Sequence, residues 1–295
     1  MKRKTKAVCL IICSAFCFTW MNIFVRLSGD LPSVEKSFFR NLVAVFIALF
    51  VLWKNGEGIH LQPKNLPYFL ARSIFGTLGI LCNFYAVDHL ILSNASMLNK
   101  MSPFFVLLFS YLILKEKLTP FQIGVVLVAF VGSLFIIKPT FANLELFPSL
   151  VGLLGGMGAG IAYTFVRLLG LKGERGPVIV FFFSMFSCLS VLPWMVTHFV
   201  PMTPLQLVTL LAAGLAAAGG QFSITAAYTH APGREVSVYD YSQIIFSALF
   251  GFFLFGDVPD HWSFLGYALI IGAAIAIFLY HNRPERGIAS KGETT

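Results

Sequence analysis

The chain has 295 residues, 57% of them hydrophobic and 12% charged, with a mean hydropathy of +0.81. About a quarter of residues are charged in a soluble domain, so these figures exclude one and identify an all-α polytopic membrane protein. The net charge of +8 would suit nucleic acid in a soluble chain, but here the basic residues gather at alternate loops, and membrane topology accounts for them without nucleic acid.

The chain opens with MKRKTK and the greasy run AVCLIICSAFCFTWMNIFV. Signal-peptide cores run about 7 to 15 residues and end at a small-residue cleavage site, whereas this run continues to Arg26. It is expected to stay as the first membrane helix. Within it Cys9, Cys13 and Cys17 fall four apart, a spacing that suits small apolar residues in a helix seam. With Cys82 and Cys188 the total is odd, and no disulfide framework is implied. Hydropathy and punctuation by Gly, Pro and charge give ten runs, about 7–29, 34–53, 67–87, 94–114, 120–137, 149–170, 177–197, 205–228, 235–256 and 262–281. Each can cross a hydrocarbon core of about 30 Å. The polar tail NRPERGIASKGETT reads as disordered.

The ten runs divide into two sets of five. Adding 141 to Phe24, Val25, Arg26 and Leu27 gives Phe165, Val166, Arg167 and Leu168. The same offset pairs Trp53 with Trp194, Pro63 with Pro204, Gly79 with Gly220 and His89 with His230. An internal repeat decides architecture, and the expected organisation is a first five-helix repeat over 1–143, a second over 144–282 and a cytoplasmic tail over 283–295. Alternate numbering of the loops puts fifteen basic residues on one side, Lys4, Lys54, Lys115, Arg167 and Arg234 among them, and only Arg26, Lys36, Arg40 and Lys138 on the other. By the positive-inside rule both termini are cytoplasmic. An odd number of helices per repeat inverts the second half relative to the first, an arrangement that places substrate sites near the midplane. Small residues four apart, Gly152, Gly156 and Gly160, then Ala212, Ala216 and Gly220, predict close helix packing.

The segments TWMNIFVR, with Met21 where Gly is usual, Arg40 opening the second helix, and KEKLTPFQIG and FGDVPDHWSFLG closing the two halves are similar to the ten-helix, EamA-type branch of the drug/metabolite transporter superfamily. Glu116 and Asp257 match that family's acidic position after the fourth and ninth helices. The resemblance covers nearly the whole chain. It implies a secondary carrier of small metabolites, commonly outward. The related four-helix multidrug exporters use a carboxylate inside the first helix to trade protons for cations. None stands here between Lys6 and Asp30, so proton-for-cation exchange of that kind is not expected.

A charge inside a membrane run costs about 2.5 to 3.5 kcal/mol on insertion scales, which singles out Asp240 in the ninth run and Lys100 in the fourth. The repeat offset sets Asn99 opposite Asp240 and Tyr241 opposite Lys100. These four are expected to face a central cavity. Asp240 has three candidate roles: binding a substrate cation, holding a proton, or pairing with Lys100 or Arg72. Arg72 lies about five residues from a boundary and could snorkel to headgroups. Lys100 is nearer mid-helix, and Pro103 behind it frees a backbone carbonyl. Trp20, Asn22, Tyr85, Tyr239 and Gln243 stand around these charges, and at least one of Tyr239 and Tyr241 is expected to line the cavity. An aromatic beside an acid suits a cation; with Lys100 present, an amino acid-like zwitterion also fits. His89 and His230 read as ordinary polar helix ends.

The sequence contains no H-E-x-x-H motif and no nucleophile with a matched base, so an enzyme is not expected, nor are catalytic residues, a metal site or a cofactor. A channel would show rings of repeated polar residues. The leading reading is a multi-pass secondary transporter of the bacterial cytoplasmic membrane, exporting or exchanging a zwitterionic or cationic metabolite by alternating access. The alternative is a channel, or a structural or enzymatic membrane protein. Partners are a small-molecule substrate, with proton coupling as an option, and the lipid bilayer; a monomer is favoured over a dimer.

Overall fold

The computed structural model describes residues 3–56, 58–89, 98–137, 146–256 and 261–282. Asp257, Lys138 and the expected tail 283–295 lie outside the described residues. Among the described residues, ten helices of 13 residues or more follow in order. They are α1 Arg3–Leu27, α2 Ser33–Lys54, α3 Leu66–His89, α4 Ser102–Leu114 and α5 Pro120–Ile137, then α6 Leu146–Leu171, α7 Gly176–Thr197, α8 Pro204–His230, α9 Ser242–Phe255 and α10 His261–Asn282. No strand occurs among the described residues. Among the described residues, seven segments are long and apolar enough to cross a membrane, and α4 and α5 are shorter apolar helices. In a bilayer each backbone group must be satisfied within the protein, which is why helices carry the chain across. The outer surface is apolar, with Phe46, Val208 and Phe253 exposed, while Arg72, Lys100 and Asp240 are buried. This is a multi-pass membrane protein turned polar-side inward.

Local chemistry sets the helix ends. Thr203 caps α8 through a reciprocal box with Gln206, and Pro204 follows in the first turn, where the missing N–H costs nothing. The helix α4 stops at Lys115 with φ 55, and α9 stops at Gly256 with φ 72. These two left-handed caps are one repeat offset apart.

Two helices differ from the sequence expectation. The fourth run was expected over 94–114, but α4 begins only at Ser102, behind a turn at Lys100 and Met101. Pro103 explains the break, because its ring conflicts with the carbonyl four residues earlier and it has no N–H to give. The ninth run was expected as one helix from 235. Instead a single turn, Gly233–Val236, leads into a 3-10 segment, Ser237–Tyr241, before α9 begins. The sequence SVYDY is rich in β-branched and aromatic residues that hold a helix weakly. Asp240 and Lys100 therefore sit on interrupted segments, not within continuous helices.

The closest packing joins one half of the chain to the other: α1 lies on α8, α3 on α6, α2 on α7 and α5 on α10. Small residues make this possible. A Cβ added at Gly158 would lie 2.8 Å from the carbonyl oxygen of Phe75, and one added at Gly79 would lie 3.1 Å from the backbone nitrogen of Ala159. On α6, Gly156 and Gly160 face Leu98 and Phe105 instead, so this helix wedges between α3 and the start of α4. On α8 Gly220 of the expected stripe is buried against the Phe18 ring, while Ala212 and Ala216 are partly exposed and their neighbours Ala213 and Ala217 are buried, with Gly214 meeting Val43.

Gly158→Val should force α3 and α6 apart, with an overpacking cost of about 1–3 kcal/mol or more. Gly124→Val, where an added Cβ meets nothing within 4 Å, should be silent. Melting temperature and size-exclusion profile in detergent measure both, and equal behaviour of the two variants would contradict the packing assignment.

Candidate substrate cavity

Helices α1, α2, α3, α6, α7 and α8 and the two interrupted segments line a cavity of about 160 Å³. One water needs about 10–15 Å³ by the same measure, so the space admits a small solute. Six of the ten residues singled out in the sequence line it: Asn22, Arg72, Asn99, Lys100, Asp240 and Gln243.

The two interruptions meet here. Lys100 Nζ lies 3.2 Å from Asp240 Oδ2 and donates to Gln243 Oε1 at 2.8 Å. The Tyr241 hydroxyl donates to the Lys100 carbonyl at 3.0 Å. That carbonyl belongs to the turn ahead of Pro103, so a side chain from one broken segment completes the backbone of the other. Lys100 is 7% exposed and Asp240 8%. At such burial each ion would be costly alone, and the pair neutralises both.

Tyr241 and Tyr239 are buried away from the cavity, in the apolar core, and neither lines it, contrary to expectation. A 3-10 segment turns about 120° per residue, so directing Asp240 inward sends both neighbours elsewhere. The aromatic wall comes instead from Tyr163, stacked on Tyr228 with centroids 5.1 Å apart, and from Phe18 and Phe183. Trp20 packs among Phe16, Phe24 and Phe250. Tyr85 stacks on His89 at 4.0 Å and meets Phe147. Both lie off the cavity.

Arg72 does not snorkel. It is 2% exposed, its guanidinium lies over the Phe183 ring at 3.9 Å, and a Cβ at Gly76 one turn later would collide with it. Gly76 thus makes room for the side chain to point inward. Arg40 also lines the cavity, 9% exposed, although the charge pattern assigned it to an outside loop. A legible signal was its depth: seven residues past Ser33, it stands roughly 10 Å into α2 at 1.5 Å per residue.

Beyond the C-terminus of α4, Glu116 meets Arg167 of α6, with Oε1 and Nε 3.5 Å apart. Arg167 also donates to the Thr229 carbonyl at the end of α8 at 3.2 Å, and Arg234 donates to the Lys117 carbonyl. Burial pushes the Glu116 carboxyl up from its ordinary range, against the pull of Arg167 and Arg234. His89 and His230 each contact the carbonyl four residues earlier through Nδ1, an ordinary helix-end arrangement.

The EamA-like transporter family profile matches residues 5–138. The pseudopaline exporter CntI of Pseudomonas aeruginosa is 34% identical over 283 residues, covering 95% of this chain and 97% of that protein. A riboflavin transporter of Brucella anthropi is 24% identical over 283 residues, covering 93% and 97%. A solved crystal structure superimposes with a TM-score of 0.83 at 15% identity, over 95% of this chain and 99% of that one, which shows a shared fold. With a polar cavity lined by apolar helices and full-length relatives that carry small metabolites, this multi-pass chain is a transporter of the cytoplasmic membrane, not an enzyme, and it belongs to the EamA-like transporter family of the drug/metabolite transporter superfamily.

Proposed function

We propose that this transporter exports an amino acid-like metabolite by alternating access, with two inverted five-helix repeats, 1–143 and 144–282, moving about the central cavity and both termini in the cytoplasm. The observation that carries this reading is the cavity itself, placed where the halves meet and bridged by Lys100 from one interrupted helix and Asp240 from the other. Broken helices around a midplane site are a recurrent carrier arrangement. Export is supported by the relative named for exporting pseudopaline.

Contacts that recur with the halves exchanged support the inverted repeat. Gly79 approaches Ala159, and at the images of both positions Gly220 approaches Phe18. The pairing of α1 with α8 is likewise the image of α6 with α3. Within this reading Glu116 and Arg167 close the cytoplasmic side. A rocking carrier breaks this pair when the cytoplasmic side opens. The lining carries Arg40, Arg72 and Lys100 against Asp240, a balance that disfavours a lone cation and suits a solute bearing both an amine and carboxylate. Asp240 then exchanges Lys100 for the substrate amine.

Asp240→Asn should strand Lys100 and destabilise the fold by about 3–5 kcal/mol. Adding Lys100→Met should restore the melting temperature but not counterflow in proteoliposomes. Recovery of transport by the double variant would reduce the pair to a structural one, and flux that never saturates with substrate would sink the carrier reading.

Glu116→Gln should loosen the cytoplasmic closure by about 1 kcal/mol, or roughly fivefold in population. In a cysteine-free background, maleimide labelling of Asn99→Cys from the cytoplasmic side should quicken by that factor. An unchanged rate would remove the ion pair from the gate.

A further inference from the structure

Once Lys100 and Asp240 have been paired, two charges in the cavity are left over. Arg40 and Arg72 are 9% and 2% exposed, and the Nε atom of each lacks a hydrogen-bond partner. The ion pairs Lys100 to Asp240 and Arg167 to Glu116 involve neither. Each guanidinium faces an aromatic ring, Phe183 at 3.9 Å for Arg72 and Phe18 at 6.0 Å for Arg40. A ring face softens the loss of water around a guanidinium but supplies no counter-charge. Buried cations without an anion are costly, Arg72 is given space by Gly76, and nothing among the described residues balances either charge.

We propose that Arg40 and Arg72 form a carboxylate-recognition wall and that the transported solute carries at least two carboxylates beside its amine, with net negative charge. This deepens the carrier reading above and rests on it. The guanidinium fork matches a carboxylate with two parallel hydrogen bonds, which a lysine cannot reproduce. The lining contributes one acid against three cations. A solute of net charge −2 would neutralise the site, and one of −1 would leave it one charge short. Asp240 and Gln243 on the interrupted helices stand ready for the amine, while the arginines on α2 and α3 take the acid groups. The two ends of such a solute would engage both the interrupted segments and the continuous helices α2 and α3, which links binding to closure.

The test uses the full chain in detergent, as wild type, Arg40→Gln and Arg72→Gln, with probes of similar chain length and different charge: glutarate, L-glutamate, L-glutamine, L-lysine and cadaverine. Without probe, both variants should melt above the wild type, because each removes an unpaired buried charge. An arginine that only holds the fold would give the opposite. Glutarate and glutamate should raise the wild-type melting temperature more than glutamine does, lysine and cadaverine should not, and each variant should need at least about tenfold more dicarboxylate for the same shift. Lower melting of both probe-free variants overturns the proposal. So does stabilisation that follows lysine and cadaverine, stabilisation indifferent to the arginine changes, or no response to either dicarboxylate. Counterflow with the same probes separates the two readings. Dicarboxylate binding without counterflow keeps the wall and sinks the carrier, whereas lysine counterflow untouched by the arginine variants keeps the carrier and sinks the wall.

Discussion

The ion pair between Lys100 and Asp240 is the interaction on which the arrangement of the cavity depends, because it lies between the only two segments around the cavity where the described helices are broken. Each break frees backbone groups that a lipid environment cannot satisfy. The Tyr241 hydroxyl meets one of them at the Lys100 carbonyl, so charge pairing and backbone satisfaction are achieved by adjacent residues of the same 3-10 segment. Remove the pair and the segments lose both a neutral interior and a reason to stay together. A continuous helix at Asp240 would carry its carboxylate round to a different face, away from the one place where the described lining holds an acid.

The remaining framework keeps the cavity small enough to hold those groups away from bulk water. Helix pairs α1 with α8 and α3 with α6 approach at glycine, where an added Cβ would fall within van der Waals contact of backbone or ring atoms. No hydrophobic force draws helices together in lipid, so such approach relies on packing. Thin seams of this kind suit the proposed rocking. The aromatic cushions under Arg72 and beside Arg40 belong to this framework, since they replace water around guanidiniums that find no counter-charge among the described residues.

Much of the fold was legible in advance. Ten runs of suitable length and the charge asymmetry of the loops yield ten helices in the expected order, because crossing a bilayer imposes a length and an apolarity that few other constraints can mask. The cavity was legible in part. Asp240, Lys100, Asn99, Asn22 and Gln243 drew attention as polar groups inside apolar runs, and burial of a charge in lipid is costly enough to be informative on its own. Arg72 was legible as a partner for Asp240, although a long side chain near a boundary could as well reach the headgroups, whereas Arg40 was legible only as the residue opening the second helix, since a charge near a helix start resembles a loop residue.

The sequence by itself thus determined the membrane environment, the helix count and the identity of the charges that would have to be explained, since each follows from local composition and the cost of lipid burial. The tertiary structure alone decided which way those charges point. The break at Lys100 and the 3-10 turn at Asp240 rotate the side chains of Tyr239 and Tyr241 into the core and Asp240 into the cavity, and Gly76 makes room for Arg72 to turn inward. Such rotations depend on neighbours distant in the chain, and a difference of one residue in register moves a side chain by about 100° around a helix.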